Sequence, residues 1–181
     1  FDHIVNYISP GLTEKQIARE IDYYYYKYAE GTSFETIVTS GENSSKPHAV
    51  PTDRKIQRQD IITIDMGCKI NGYCSDMTRT IFVGEVPQNM KEVYDLVLKN
   101  QEQALEDIHD GANTKQISKM VDNDFRLHNY DLIHALGHGV GLDIHESPVL
   151  GIHSETILKE NMVVTDEPGI YIPGQFGVRI E

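Results

Sequence analysis

Apolar positions along this 181-residue chain follow two different periods. Between about Thr13 and Tyr28, Ile17, Ala18 and Ile21 recur at the three-and-four spacing that lines one face of a helix. That spacing returns in a pair of later segments. One runs roughly from Asn89 to Ile108, with Val93, Leu96, Val97 and Leu105 inward, and the other from Thr114 to Leu127, with Ile117 and Val121 inward. Short β-branched and aromatic runs predict strands in FETIVTS, DIITIDMG, MTRTIFVG, DLIHALGHGV, NMVVTDEPG and FGVRIE. The predicted order is helix, strands, two helices, strands, an α+β pattern. Phe1 stands inside a further candidate helix and Glu181 inside an alternating strand, so the chain reads as a fragment of a longer polypeptide.

The stretch IDMGCKINGYCSDMTRT reads as a hairpin around Asn71-Gly72, a pair suited to a type I′ turn. A two-residue turn there sets Ile70 opposite Tyr73, Lys69 opposite Cys74, Gly67 opposite Asp76 and Asp65 opposite Thr78. Asp65 and Asp76, each inside a predicted strand, then lie diagonally on one face. Ile64, Met66, Cys68 and Ile70 occupy the other face, ready to pack on helices. Cys68 and Cys74 fall on opposite faces, which argues against a disulfide.

The chain also repeats itself. GLTEKQIAREID from Gly11 matches GANTKQISKMVD from Gly111, HAVP at His48 answers HESP at His145, and IITIDMG answers VVTDEPG, placing Asp65 opposite Glu167. Three matches in the same order point to two similar helix-and-strand halves.

Composition narrows the functional classes. Twenty-eight acids against sixteen Lys and Arg give a net charge of −12, which repels nucleic acid and anionic lipid surfaces. Nothing approaches the run of apolar residues needed to span a membrane, and one domain over residues 1–181 is the expected organisation. Two cysteines without a disulfide fit a reducing, cytoplasmic setting. The run DYYYYKY covers every side of a helix, which leaves at least one ring exposed; packing or a subunit contact, as in a homodimer, accounts for it better than chemistry.

Two carboxylates held together on a sheet repel, so one takes up a proton or a cation sits between them; the alternative is a solvated face on which they never meet. The remaining chain adds His138 in ALGHGVGLDIHESP, Glu167 in VTDEPGIY, and Glu181 beside Arg179 in VRIE. Four carboxylates and one imidazole suffice for two divalent ions, and such an oxygen-rich set suits Mn²⁺, Co²⁺ or Zn²⁺.

The Asp-x10-Asp of DMGCKINGYCSD, followed by GHGVGLDIHE and EPGIY, resembles the metallopeptidases of the pita-bread fold. That group includes methionine aminopeptidases, aminopeptidase P, prolidase, creatinase and non-enzymatic relatives. The resemblance implies two pseudo-symmetric halves forming a curved antiparallel sheet with helices on its outer face. It implies Asp65, Asp76, His138, Glu167 and Glu181 as ligands of two ions, Mn²⁺ first among them, with Asp76 and Glu181 bridging. NGYCSDMTRT and GHGVGLDIHESP stand closest to the Xaa-Pro branch, so the implied substrate is a peptide with proline at the second position, cleaved before that proline by a metal-bridging hydroxide. In that scheme Glu167 is the general base, His145 donates toward the oxyanion with His134 in support, and His48 contacts the far side of the scissile bond. Arg179 orients a ligand carboxylate, with a surface ion pair as the alternative; His3, His109, His128 and His153 are read as ordinary side chains. A methionine aminopeptidase shares the ligand set, and a binding relative without catalysis shares the fold. Xaa-Pro enzymes usually carry a domain before this one and a strand beyond the last ligand.

Overall fold

In the computed structural model, which describes residues 1–181, helix α1 (Asp2–Tyr7) leads into α2 (Glu14–Tyr28), and α2 starts where a capping box forms. The Thr13 hydroxyl accepts from the Gln16 N–H, and the Gln16 side chain accepts from the Thr13 N–H, satisfying two otherwise orphaned donors. Helices α3 (Gln88–Asp107) and α4 (Thr114–Leu127) come later, and Asn113 caps α4 by accepting from the N–H groups of Lys115 and Gln116. The buried stripe of α3 is Val93, Val97, Asn100 and Ala104. Leu105 is instead exposed, because a face built on Val93 and Val97 continues at Ala104.

The two halves are visible in the backbone. Gly11 and Gly111 both take positive φ, 98° and 85°, a conformation that costs glycine little. Gly11 N–H donates to Ile56 O and Gly111 N–H to Leu158 O, while Ile56 N–H donates to Leu12 O and Leu158 N–H to Ala112 O. Glu14 N–H and Thr114 N–H complete the correspondence by donating to Arg54 O and Thr156 O. Each half has its own core: Ile17, Ile21, Val38, Ile62 and Ile64 pack with α1 and α2, and Val97, Val121, Phe125, Leu136 and Phe176 with α3 and α4.

Every strand pairing is antiparallel. Strands β1 (Ile37–Ser40), β2 (Ile61–Asp65) and β5 (Thr78–Phe82) form a three-stranded sheet in the order β1-β2-β5. Two-stranded ladders join β3 (Lys69–Ile70) to β4 (Tyr73–Cys74), β6 (Gly137–Gly139) to β7 (Glu146–Leu150), and β8 (Gly169–Ile172) to β9 (Phe176–Arg179). Helix α2 packs on β1, α3 on β8 and β9, and α4 on β7, so the helices lie outside the strands. No helix is long and apolar enough to cross a membrane.

The hairpin register matches its sequence reading, Asp65 with Thr78 and Lys69 with Cys74, around a turn with positive φ at Asn71 and Gly72. Both cysteines are free. Ile64 and Met66 are buried, but Ile70, at the turn end of the two-residue ladder, is 56% exposed. Two predicted strands are shorter or absent: only Gly137–Gly139 of DLIHALGHGV is strand, and NMVVTDEPG makes a single bridge, Val164 to Gly139, before Gly169 enters β8. NMVVTDEPG runs alongside β6, with Thr165 N–H donating to His138 O and Glu167 N–H to Leu136 O, but Pro168 has no N–H and no regular ladder forms. The sequence reading missed β7 and β8, and it missed the 3-10 turn Gly41–Ser45 after β1. Four tyrosines of α2 (Tyr23, Tyr24, Tyr26 and Tyr28) are exposed, and Tyr25 packs on the first core.

Glu14 opens α2 fully buried and accepts five hydrogen bonds, from Ser40 N–H and hydroxyl, Asn43 amide, and Thr52 N–H and hydroxyl. The carboxylate sits at the positive end of its helix and ties β1 to the loop after it. Glu14→Ala removes the acceptor from all five donors and is expected to destabilise the protein by on the order of 3 kcal/mol, read as a lower urea midpoint with unchanged slope.

Candidate metal centre

Asp65 is the last residue of β2, and the residues immediately after it interrupt the hairpin. A Cβ on Gly67 would stand 2.0 Å from Ser75 O, so only glycine allows the strands to close there. Asp76 accordingly lies between β4 and β5 rather than inside a strand, and its side chain turns toward Asp65. Beyond β9, Glu181 N–H donates to Thr78 O, which brings the second half against the first. Asp65, Asp76 and Glu181 each place a carboxylate oxygen within 4.8 Å of the other two.

A second group adjoins the first. His138 in β6 sets Nε2 3.5 Å from Asp76 Oδ2 and 3.3 Å from Glu167 Oε1. Its Nδ1 donates to Gly139 O at 2.9 Å, which turns Nε2 toward the acids. The Thr165 hydroxyl accepts from His138 N–H and donates to Glu167 Oε1, fixing both side chains. Asp76 thus stands in both groups.

Arg179 is 3% exposed, which rules out a surface ion pair. It donates from Nη2 to Asp65 Oδ2 at 2.6 Å, from Nε to the Thr78 hydroxyl, and from Nη1 to Pro47 O and the Tyr171 hydroxyl. The carboxylate it holds is Asp65, not its neighbour Glu181.

Crowding of buried charge shows in the titration of these groups. Burial, opposed by Arg179 and reinforced by Asp76 and Glu167, raises Asp65 to about 6. Burial and then the charges of Asp76, Glu167 and Asp65 raise Glu181 to about 8. Burial alone would lower the His138 imidazole, but its bonds to Asp76 and Glu167 override that and hold it up at about 10. Burial pushes Glu167 up, but its bond to His138 together with the charges of His134, Arg179 and His138 outweighs that and holds it below the usual carboxylate range. Asp65 Oδ1 and Glu181 Oε1 are buried without a hydrogen-bond partner. Oxygen donors that are clustered, anionic and unpartnered fit divalent cations.

The cluster forms one wall of a cavity of about 750 Å³, also lined by His48, His134 and His145. Glu181 joins the carboxylates without lining it. The His145 ring stands edge-on to His138 with centroids 4.4 Å apart, and His48 is exposed on the wall. His134 lies in an irregular segment rather than a strand. Its Nδ1 donates to Ala135 O, so Nε2 accepts from the Tyr171 hydroxyl at 3.0 Å. Burial pushes its pKa down, keeping it neutral. Both nitrogens are therefore engaged, so His134 supports the site by position rather than by donating to a substrate.

Tyr171, which links His134 to Arg179, was not among the sequence candidates, although EPGIY contains it. Asp166 is also unforeseen: 6% exposed, both oxygens unpartnered, raised by burial and then by Glu167 to about 8.

Residues 1–181 match the profile of metallopeptidase family M24. The chain belongs to that family. It is 43% identical over 177 residues to a Xaa-Pro dipeptidase of Pyrococcus furiosus, covering 96% of this chain and 51% of that protein. Among solved structures, a dipeptidase of Pyrococcus horikoshii superposes with a TM-score of 0.96 at 41% identity, covering 99% of this chain and 51% of that one. An X-Pro aminopeptidase from Thermotoga maritima gives a TM-score of 0.95 at 41% identity, covering 98% and 51%. The fold is thus the pita-bread fold, and the chain spans about half the length of the relatives it matches. Divalent ions are the cofactors of such a metallopeptidase family, and the carboxylate cluster suits them.

A cation entering this site needs neutral His138 and ionised Glu181, both of which hold protons at neutral pH. Mn²⁺ binding is therefore expected to release protons and to tighten as the pH rises from about 6 to about 10, the range over which Asp65, Glu181 and His138 give up theirs. Calorimetry in buffers of different ionisation enthalpy measures both effects, and an affinity independent of pH would contradict this account.

Proposed function

We propose that the protein carrying this chain is a dinuclear metal-dependent exopeptidase that cleaves the bond between an N-terminal residue and proline. The observation that carries this reading is the convergence of Asp65, Asp76, His138 and Glu167 on one wall of a cavity that also presents His48 and His145, with Glu181 joining Asp65 and Asp76 from behind that wall. The names of the Pyrococcus furiosus and Thermotoga maritima relatives support proline as the second residue. The five side chains would hold two divalent ions, with Mn²⁺ first among the candidates. When bound, the ions supply Lewis-acid polarisation of the scissile carbonyl and acidify water at neutral pH.

The chain's own groups do the rest. Glu167 Oε1 is engaged by His138 and Thr165, which leaves Oε2 to take a proton and pass it on. A bond to proline has a tertiary amide nitrogen, which must be protonated before it can leave. His145, on the cavity wall beside His138, donates toward the developing oxyanion, and His48 reaches the proline side. Phe34, Ile37, Val50 and Ile144 give that cavity apolar wall against which a proline ring can pack.

Asp76→Ala removes the carboxylate common to both groups and is expected to reduce hydrolysis of Xaa-Pro peptides by the metal-loaded, full-length protein to background. Full activity in this variant would contradict the assignment. His145→Ala is expected to lower kcat about 10²-fold with KM little changed. A preference for Met-Ala-Ser over Ala-Pro peptides would move the protein to the methionine aminopeptidase branch.

A further inference from the structure

The charge of the cavity wall bears on which proline peptides fit. In a free Xaa-Pro dipeptide the terminal carboxylate hangs on the proline Cα, within about 4 Å of the scissile carbonyl carbon. Hydrolysis of that substrate places an extra anion deep in the cavity, next to the cluster. Twenty residues line the cavity, and Arg179 is the one lysine or arginine among them. It is buried, and each of its nitrogens already donates inward, to Thr78, Pro47, Tyr171 or Asp65.

The same wall carries Glu35 and Glu146, both exposed and neither in an ion pair. Two divalent ions would balance the four ligand carboxylates, and Arg179 would offset one more acid. The wall still keeps an excess of negative charge, to which the dipeptide's carboxylate would add its own. A peptide that continues past proline replaces that carboxylate with a neutral amide.

We propose that this pocket selects peptides extending beyond proline and discriminates against free Xaa-Pro dipeptides, a refinement that rests on the Xaa-Pro reading above. The substrate class is then that of an aminopeptidase, and Glu35 is a specificity-determining residue that acts by charge rather than by contact with the scissile bond.

The test compares Ala-Pro, Ala-Pro-NH₂ and Ala-Pro-Ala-NH₂ with the full-length, metal-loaded protein. The first pair differs only in the terminal charge. Both amides are expected to be cleaved with a kcat/KM at least about tenfold above that of Ala-Pro. Glu35→Lys, and separately salt at about 0.5 M, should narrow that gap. Calorimetry gives a readout independent of turnover: L-prolinamide should bind more tightly than L-proline. Cleavage of Ala-Pro as efficient as that of its amide overturns the refinement while leaving Xaa-Pro hydrolysis standing. A gap unchanged in Glu35→Lys assigns the discrimination to something other than wall charge and overturns it as well. No cleavage of any of the three sinks the peptidase reading and the refinement together.

Discussion

Mutual repulsion among Asp65, Asp76, Glu167 and Glu181 is the constraint around which this chain is organised. Acids gathered in a poorly solvated place must be protonated, paired or bridged by cations, and the protein does some of each. Arg179 pairs with Asp65, the single charge of His138 is shared between Asp76 and Glu167, and burial with the neighbouring acids raises Glu181 to about 8. These are stopgaps in chemical terms, because they leave Asp65 Oδ1 and Glu181 Oε1 buried with nothing to bond. Divalent cations answer the whole arrangement at once.

Such a cluster persists only if the scaffold is stiff enough to hold like charges together. The duplicated architecture provides that stiffness. Each half buries its own apolar core beneath its own helices, so each can present acids on an inner face without relying on that face for stability. The halves meet where Thr80 bonds Arg179 and where Glu181 runs along the edge of β5. The threonines Thr63, Thr78 and Thr80 line that inner surface, supplying hydroxyls that an all-apolar face would lack. Arg179 spans the junction: it grows from the second half and clamps the acid of the first.

The halves have diverged in the way each grips its loop. In the first, Glu14 gathers five donors around the segment leading to and from His48. In the second, the equivalent Thr114 donates to Ser154 O and accepts from Thr156 N–H. One ancestral position therefore does the same job with a buried anion on one side and a hydroxyl on the other. The walls of the cavity differ accordingly, with exposed His48 on one side and the His145–Glu146 segment on the other.

Much of this was legible along the chain because it depends on local rules. Periodicity marked α2, α3 and α4 almost to the residue, Asn71-Gly72 fixed a register that put Asp65 opposite Thr78, and the internal repeat announced two halves. The short motifs singled out the five side chains that the fold brings together. Tertiary structure alone decided that Arg179 holds Asp65 across 114 positions, that Tyr171 occupies the second nitrogen of His134, and that Ile70 faces solvent. It also decided that the stretch before Pro168 lies beside β6 without becoming a strand. Spacing determines which side chains share a face of their own element; which face meets which, and therefore which charge finds which partner, depends on contacts between residues far apart in the chain.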